Sequence, residues 1–203
     1  DDLGALAERA SLQAAKTAAG LMAQAVAASY NYDYRTARTL LDEAILLAPE
    51  RPELYILRSE TFTSSVDEAS WFADLDTAFS LAPDLRIVRS AMANKHLYLY
   101  ELDQAEAIAL ALVEDFPAGG DGYDFLTRVY NQRFELRKAL EIVDKGLAAA
   151  GECSALYNAR GDVYQLMGKF DEAAQDFEKA LTFRPNGIYA LESLAFIASD
   201  QGK

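Results

Sequence analysis

A chain of 203 residues, 51% apolar and 25% charged, has the composition of a folded globular protein and not of a disordered one. Its formal net charge of −13 opposes any surface that works by displacing counterions from phosphates, which excludes nucleic acid as a partner and disfavours anionic membrane surfaces. With Cys153 as its one cysteine it can form no internal disulfide, and no run approaches the roughly 18–20 apolar residues that cross a bilayer.

Residues 1–17 are Ala-rich and read as an amino-terminal helix, either running on to about Tyr30 or standing apart as a half-unit. The chain opens on Asp1 and Asp2, with no Met and no basic-then-apolar leader, as a processed or truncated product would. A cytoplasmic location is the first expectation, with periplasmic or exported ones left open.

Beyond Thr17 the sequence is punctuated at one interval. Pro49, Pro83, Pro117, Gly151 and Pro185 are spaced by 34 residues, and only Pro52 lies off this ladder. Five breakers in register imply five repeats, each closed by a turn: 18–51, 52–85, 86–119, 120–153 and 154–187. Small residues keep the same phase. Ala25, Ser59, Ala93, Thr127 and Gly161 form one set, and Ala37, Ala105, Ala139 and Ala173 another. Each allows two helices to approach closely, so every repeat is expected to be an antiparallel helix pair.

The repeats differ in ways that carry expectations. In the second, Trp71 stands in a small-residue slot, predicting a wedge or a shift of register, while Ser65-Val66-Asp67-Glu68 reads as a capping box that starts a helix near Ser65. In the third, Arg89 and His96 occupy slots that are aromatic in the second, fourth and fifth, so this repeat should pack least well. In the fifth, Gly168 separates one helix face of Leu156, Tyr157, Val163 and Tyr164 from a second of Phe170, Ala173, Phe177 and Ala180. Residues 188–203 follow as one more helix, with Ala195 in phase with Gly161. It is either a cap or the first helix of a sixth repeat.

The run Tyr157, Gly161, Tyr164, Gly168, Phe170, Ala173, Phe177, Ala180 and Pro185 resembles the tetratricopeptide repeat signature with nearly every slot filled. The resemblance implies an all-α fold, a right-handed α-solenoid of antiparallel helix pairs. It also implies a concave wall, made by the first helices, that holds a protein or peptide segment. By phase, that wall should present Met22 and Val26, then Ile56 and Glu60, then Asn94, then Asp124, Arg128 and Asn131, and last Asn158 and Asp162, with Gln165 beside them. Its amino-terminal part is apolar and its carboxy-terminal part polar and mostly acidic, which suits an extended segment with an apolar end and a basic end. Chaperone-binding members grip a terminal carboxylate with basic side chains; the slots here hold Met22, Val26, Leu57, Ile87 and Ala91, so such a tail is a poor ligand.

Nothing in the sequence assembles into a catalytic set, and no cofactor or metal is expected. His96 fills a packing slot, Cys153 has no basic neighbour, and Gly119-Gly120-Asp121-Gly122 lacks the Lys-Ser/Thr pair of a phosphate loop. The expected role is a scaffold and not an enzyme. A regulatory or targeting domain of a larger, enzyme-bearing protein, or a self-associating solenoid, is the alternative.

Overall fold

The computed structural model describes residues 16–62 and 68–200. Among these residues there are eleven helices and no strand. In chain order they are α1 (Ala18–Tyr30), α2 (Tyr34–Leu47), α3 (Pro52–Ser59), α4 (Glu68–Leu81), α5 (Arg86–Tyr98), α6 (Leu102–Asp115), α7 (Gly120–Gln132), α8 (Leu136–Ala150), α9 (Ser154–Leu166), α10 (Phe170–Phe183) and α11 (Ile188–Asp200). Most of the predicted amino-terminal helix, and the Ser65, Val66 and Asp67 part of the capping box, lie outside the described residues. The chain divides into two compact units, one up to Ala91 and the other from Met92.

In the amino-terminal unit α1 packs on α2, α2 on α3, and α3 on α4. Leu21, Ala25, Ala37, Leu41, Ala44 and Leu54 make its core. In the carboxy-terminal unit α6 packs on α7, α7 on α8, α8 on α9, α9 on α10 and α10 on α11, and α7 also meets α9. Contacts of this kind join near neighbours only, so the apolar centre is a succession of small clusters. One gathers Leu97, Ala105, Ala109, Leu126, Val129 and Ala139; another gathers Tyr157, Ala173, Phe177, Ala180 and Ile197.

The small residues do what their phase requires. A Cβ built on Gly161 would lie 2.8 Å from Cε1 of Phe177, a ring with no exposure, and one on Gly146 would lie 2.7 Å from Cβ of Tyr123. Gly161→Leu should therefore cost about 1–3 kcal/mol by overpacking, read as a lower urea midpoint. A midpoint equal to that of the parent protein would refute this account of the α9–α10 contact.

The turns inside the helix pairs share one backbone geometry. Tyr32, Tyr100, Phe134 and Gly168 all have positive φ, at 60°, 58°, 58° and 74°. At the turn after α7, the N–H of Phe134 donates to the carbonyl of Asn131 and the N–H of Glu135 to that of Tyr130; Gly168 and Lys169 repeat the pattern with Gln165 and Tyr164. This is the Schellman arrangement, in which a left-handed residue just past the helix satisfies the last carbonyls. The residue that completes it (Asp33, Glu101, Glu135 or Lys169) is also the N-cap of the next helix, which makes the turn as short as a helix pair permits.

The second repeat departs from the expected wedge. Leu75 and Ala78 are 2% and 0% exposed and fill the slots of Phe177 and Ala180, so the register is kept. Trp71 is half-buried, with its ring 4.9 Å from that of Phe72. What changes is the first helix, which ends at Ser59. There the Ser59 hydroxyl donates to the carbonyl of Ile56 at 2.6 Å and the Thr61 hydroxyl to that of Arg58 at 2.7 Å, giving the backbone acceptors a local alternative to further helix. In the third repeat, expected to pack least well, Ala105, Ala109 and Leu112 are nonetheless at most 1% exposed.

Candidate functional site

Three helices of the carboxy-terminal unit, α7, α9 and α11, turn equivalent faces to one cleft. Arg128, Asn131 and Gln132 reach it from α7, Asp162, Gln165 and Leu166 from α9, and Tyr189, Glu192, Ser193 and Phe196 from α11, around about 480 Å³ of open space. The placement is a product of the repeat interval. Residues 34 apart fall on equivalent places of successive first helices, so Arg128, Asp162 and Phe196 form one row and Asn131 and Gln165 another.

The charged groups of the cleft are held and partly dry. The Arg128 guanidinium donates to Oδ1 of Asn94 at 3.1 Å and lies 3.9 Å from the carboxylate of Asp124, one helical turn earlier. The Tyr189 hydroxyl donates to Oδ1 of Asp162 at 2.6 Å. Burial pushes the Asp124 carboxyl up to about 6, and the charges of Asp162 and Asp121 add to this against the pull of Arg128. Burial likewise raises Asp162 to about 6, opposed by the Tyr189 hydrogen bond and by Arg128. Burial, followed by the Asp162 hydrogen bond and charge, raises Tyr189, which keeps its proton and remains a donor. Three side-chain oxygens on this wall, of Asn131, Gln132 and Asn158, are shielded from water and have no hydrogen-bond partner.

The amino-terminal unit has a recess of its own, of about 310 Å³, lined by Ala25, Val26, Ser29, Tyr30, Tyr34, Leu41, Leu57 and Glu60. Apart from Ser29, the tyrosine hydroxyls and Glu60, its walls are hydrocarbon and ring.

The residues expected on the open wall fall into three sets. Arg128, Asn131 and Asp162 line the cleft, and Asn94, Asp124 and Asn158 flank or support it. Val26 and Glu60 line the amino-terminal recess, while Met22 is half-buried against the core of that unit. Ile56 is the correction. It is 2% exposed, because α3 is a short helix whose apolar side chains are covered by neighbours, and it can meet no partner. Tyr189, Glu192 and Phe196 were not anticipated as wall residues, although one further step of 34 from Asn158 and Asp162 reaches Glu192 and Phe196.

The other chemical groups have structural company. His96 Nδ1 lies 2.6 Å from a carboxylate oxygen of Glu101, across the turn after α5. Cys153 sits beside Gly120, half-buried. Among the described residues, no three His, Cys, Asp or Glu side chains come together to hold a metal, and no helix is long and apolar enough to cross a membrane.

Helix pairs stacked in near-neighbour contact, with a polar cleft along their first helices, define an all-α helical-repeat solenoid. The family described as tetratricopeptide repeat matches residues 154–186. Solved structures share the fold across most of the chain. A thermophilic tetratricopeptide protein of Thermus thermophilus is 19% identical with a TM-score of 0.74, over 89% of this chain and 98% of that one. A tetratricopeptide protein of Parabacteroides merdae is 19% identical at 0.76, over 90% and 71%. YrrB, described as having an unusual peptide-binding site, is 13% identical at 0.54, over 92% and 96%. No curated protein matches the chain. Residues 154–186 thus match the tetratricopeptide repeat, and most of the chain shares the all-α helical-repeat fold of those structures.

Proposed function

We propose that this chain, divided into repeats at 18–51, 52–85, 86–119, 120–153 and 154–187, binds an extended peptide segment of a protein partner and catalyses no reaction. The cleft of the carboxy-terminal unit suits a basic stretch, and the recess of the amino-terminal unit suits apolar side chains. The observation that carries the reading is the cleft wall itself. It combines the carboxylates of Asp162 and Glu192 with the amides of Asn131, Gln132 and Gln165. Basic side chains and backbone N–H groups of a bound strand are donors that such carboxylates and amides accept, whatever the sequence. The Tyr189 and Phe196 rings give the strand apolar surface to lie on. YrrB, similar in fold, is described by its peptide-binding site, which supports the same use of the fold.

The test is Asp124→Lys with Asp162→Lys, read by fluorescence anisotropy with a labelled Lys/Arg-rich decapeptide. Affinity should fall at least about tenfold, as expected when like charges are brought together at an interface. Glu172→Lys with Glu178→Lys changes the net charge equally at exposed sites on α10 and should leave most of the affinity. Equal affinity of the parent protein and the cleft variant would remove the cleft from consideration.

A further inference from the structure

The recess of the amino-terminal unit contains a feature that an apolar ligand does not use. Glu60 stands at its edge, just past the end of α3, exposed as a residue but with its carboxyl partly shielded by the recess. No hydrogen bond or ion pair engages its carboxylate among the described residues. Two arginines of the neighbouring helices, Arg58 and Arg38, are committed elsewhere. Arg58 binds Asp74 through two nitrogens at 2.9 and 2.6 Å and Asp42 through a third, and Arg38 donates to the hydroxyl and carbonyl of Thr61. Beside the carboxylate the walls are the aliphatic groups of Ala25, Val26, Leu41 and Leu57 and the rings of Tyr30 and Tyr34.

We propose that this recess is a site for a lysine side chain of the bound segment, its alkyl stem against Val26 and Leu57, over the buried Leu41, and its ammonium on Glu60. This refines the peptide-binding reading above, on which it rests, by placing a positive charge on the part of the ligand that the sequence alone marks as apolar. A four-carbon stem ending in an ammonium is built for such a place, since it buries hydrocarbon while its charge stays at the rim. The ring faces of Tyr30 and Tyr34 add attraction for a cation. Arginine fits less well. Its guanidinium spreads five donors in a plane, and the recess offers one carboxylate and a few hydroxyls to receive them. The free carboxylate also carries the mark of a site awaiting a counter-charge: burial alone raises Glu60 above the ordinary glutamate range, with no neighbouring charge to offset it.

Three capped peptides of the form Ala-Ala-X-Ala-Ala, with lysine, norleucine or arginine at X, test this against the 203-residue chain. Binding is followed by the methyl resonances of Val26, Leu41 and Leu57, with Leu166 reporting on the other cleft. The lysine peptide should bind at least about threefold more tightly than the norleucine peptide, the range of a partly exposed ion pair. Glu60→Gln should bring the two together. Norleucine binding as tightly as lysine in the parent protein, a preference that survives Glu60→Gln, arginine outcompeting lysine, or no movement of the three methyls would each overturn the proposal. If Leu166 shifts while those methyls do not, the lysine site fails and the peptide-binding reading stands. If neither shifts with these peptides or with the basic decapeptide, both fail.

Discussion

Arg160→Leu is expected to lower the stability of this protein by about 3–5 kcal/mol, the cost of leaving a buried charge without its partner. Arg160 donates to both carboxylate oxygens of Asp176 at 2.8 Å and to Asp144 at 2.9 Å, tying α9 to the helices on either side. Asp176 is 5% exposed, so it cannot turn to water when the guanidinium is lost. The same triad recurs three repeats earlier as Arg58 with Asp74, 4% exposed, and Asp42. The intervening repeats solve the problem without charge. In phase with the arginines stand Met92 and Leu126, 8% and 1% exposed, and in phase with the buried aspartates stand Ile108 and Ile142, packed on a core cluster. Arg160→Leu combined with Asp176→Ile should accordingly recover most of the loss, which makes the pair a double-mutant cycle with a large coupling. Urea denaturation of the four proteins decides it. A single variant as stable as the parent, or a double variant no better than the single, would show that the triad does not hold α9 in place.

The second large effect concerns Asp124 and Asp162. Both are raised to about 6 in the folded chain, against an ordinary aspartate value near 4 in the unfolded one. Between those values the folded state holds more protons than the unfolded state, so these groups make stability fall as pH rises from about 4 to 6. At pH 7 both are ionised against the cost of burial, and Asp162→Asn should stabilise the protein by about 1–3 kcal/mol. The Tyr189 hydroxyl can still donate to the amide oxygen, so the local geometry survives. Binding of a basic peptide should move the opposite way, weakening in the variant and, in the parent protein, as pH falls through 6. Thermal melts and anisotropy at pH 4.5 and pH 7.5 read both. An Asp162→Asn protein less stable than its parent at pH 7.5 would show that the carboxylate is a structural support and not a stored cost of binding.

The repeat interval made most of this fold legible, since backbone breakers and small residues act at fixed places whatever surrounds them. Gly161 under Phe177 and Ala173 in the core follow from phase alone. Half of the cleft follows in the same way, because Arg128 and Asp162 are one interval apart. The other half is hidden for a specific reason. Tyr189, Glu192 and Phe196 lie past the last breaker, where a capping helix and one more first helix look alike, although the spacing reaches them. Ile56 went wrong because phase assumes a full-length first helix, whereas Ser59 and Thr61 end α3 early. The raised carboxyls and the engagement of Arg38 away from Glu60 depend on which side chains meet in space, and no spacing encodes that.

The four positive-φ turns inside the helix pairs differ in who occupies them. Tyr32, Tyr100 and Phe134 are bulky residues in a conformation that costs an L-residue about 1–2 kcal/mol, whereas Gly168 adopts it freely. An aromatic in that state is held there by the docking of the two helices it joins. Of these four hairpins, only the one at Gly168 closes without that backbone cost.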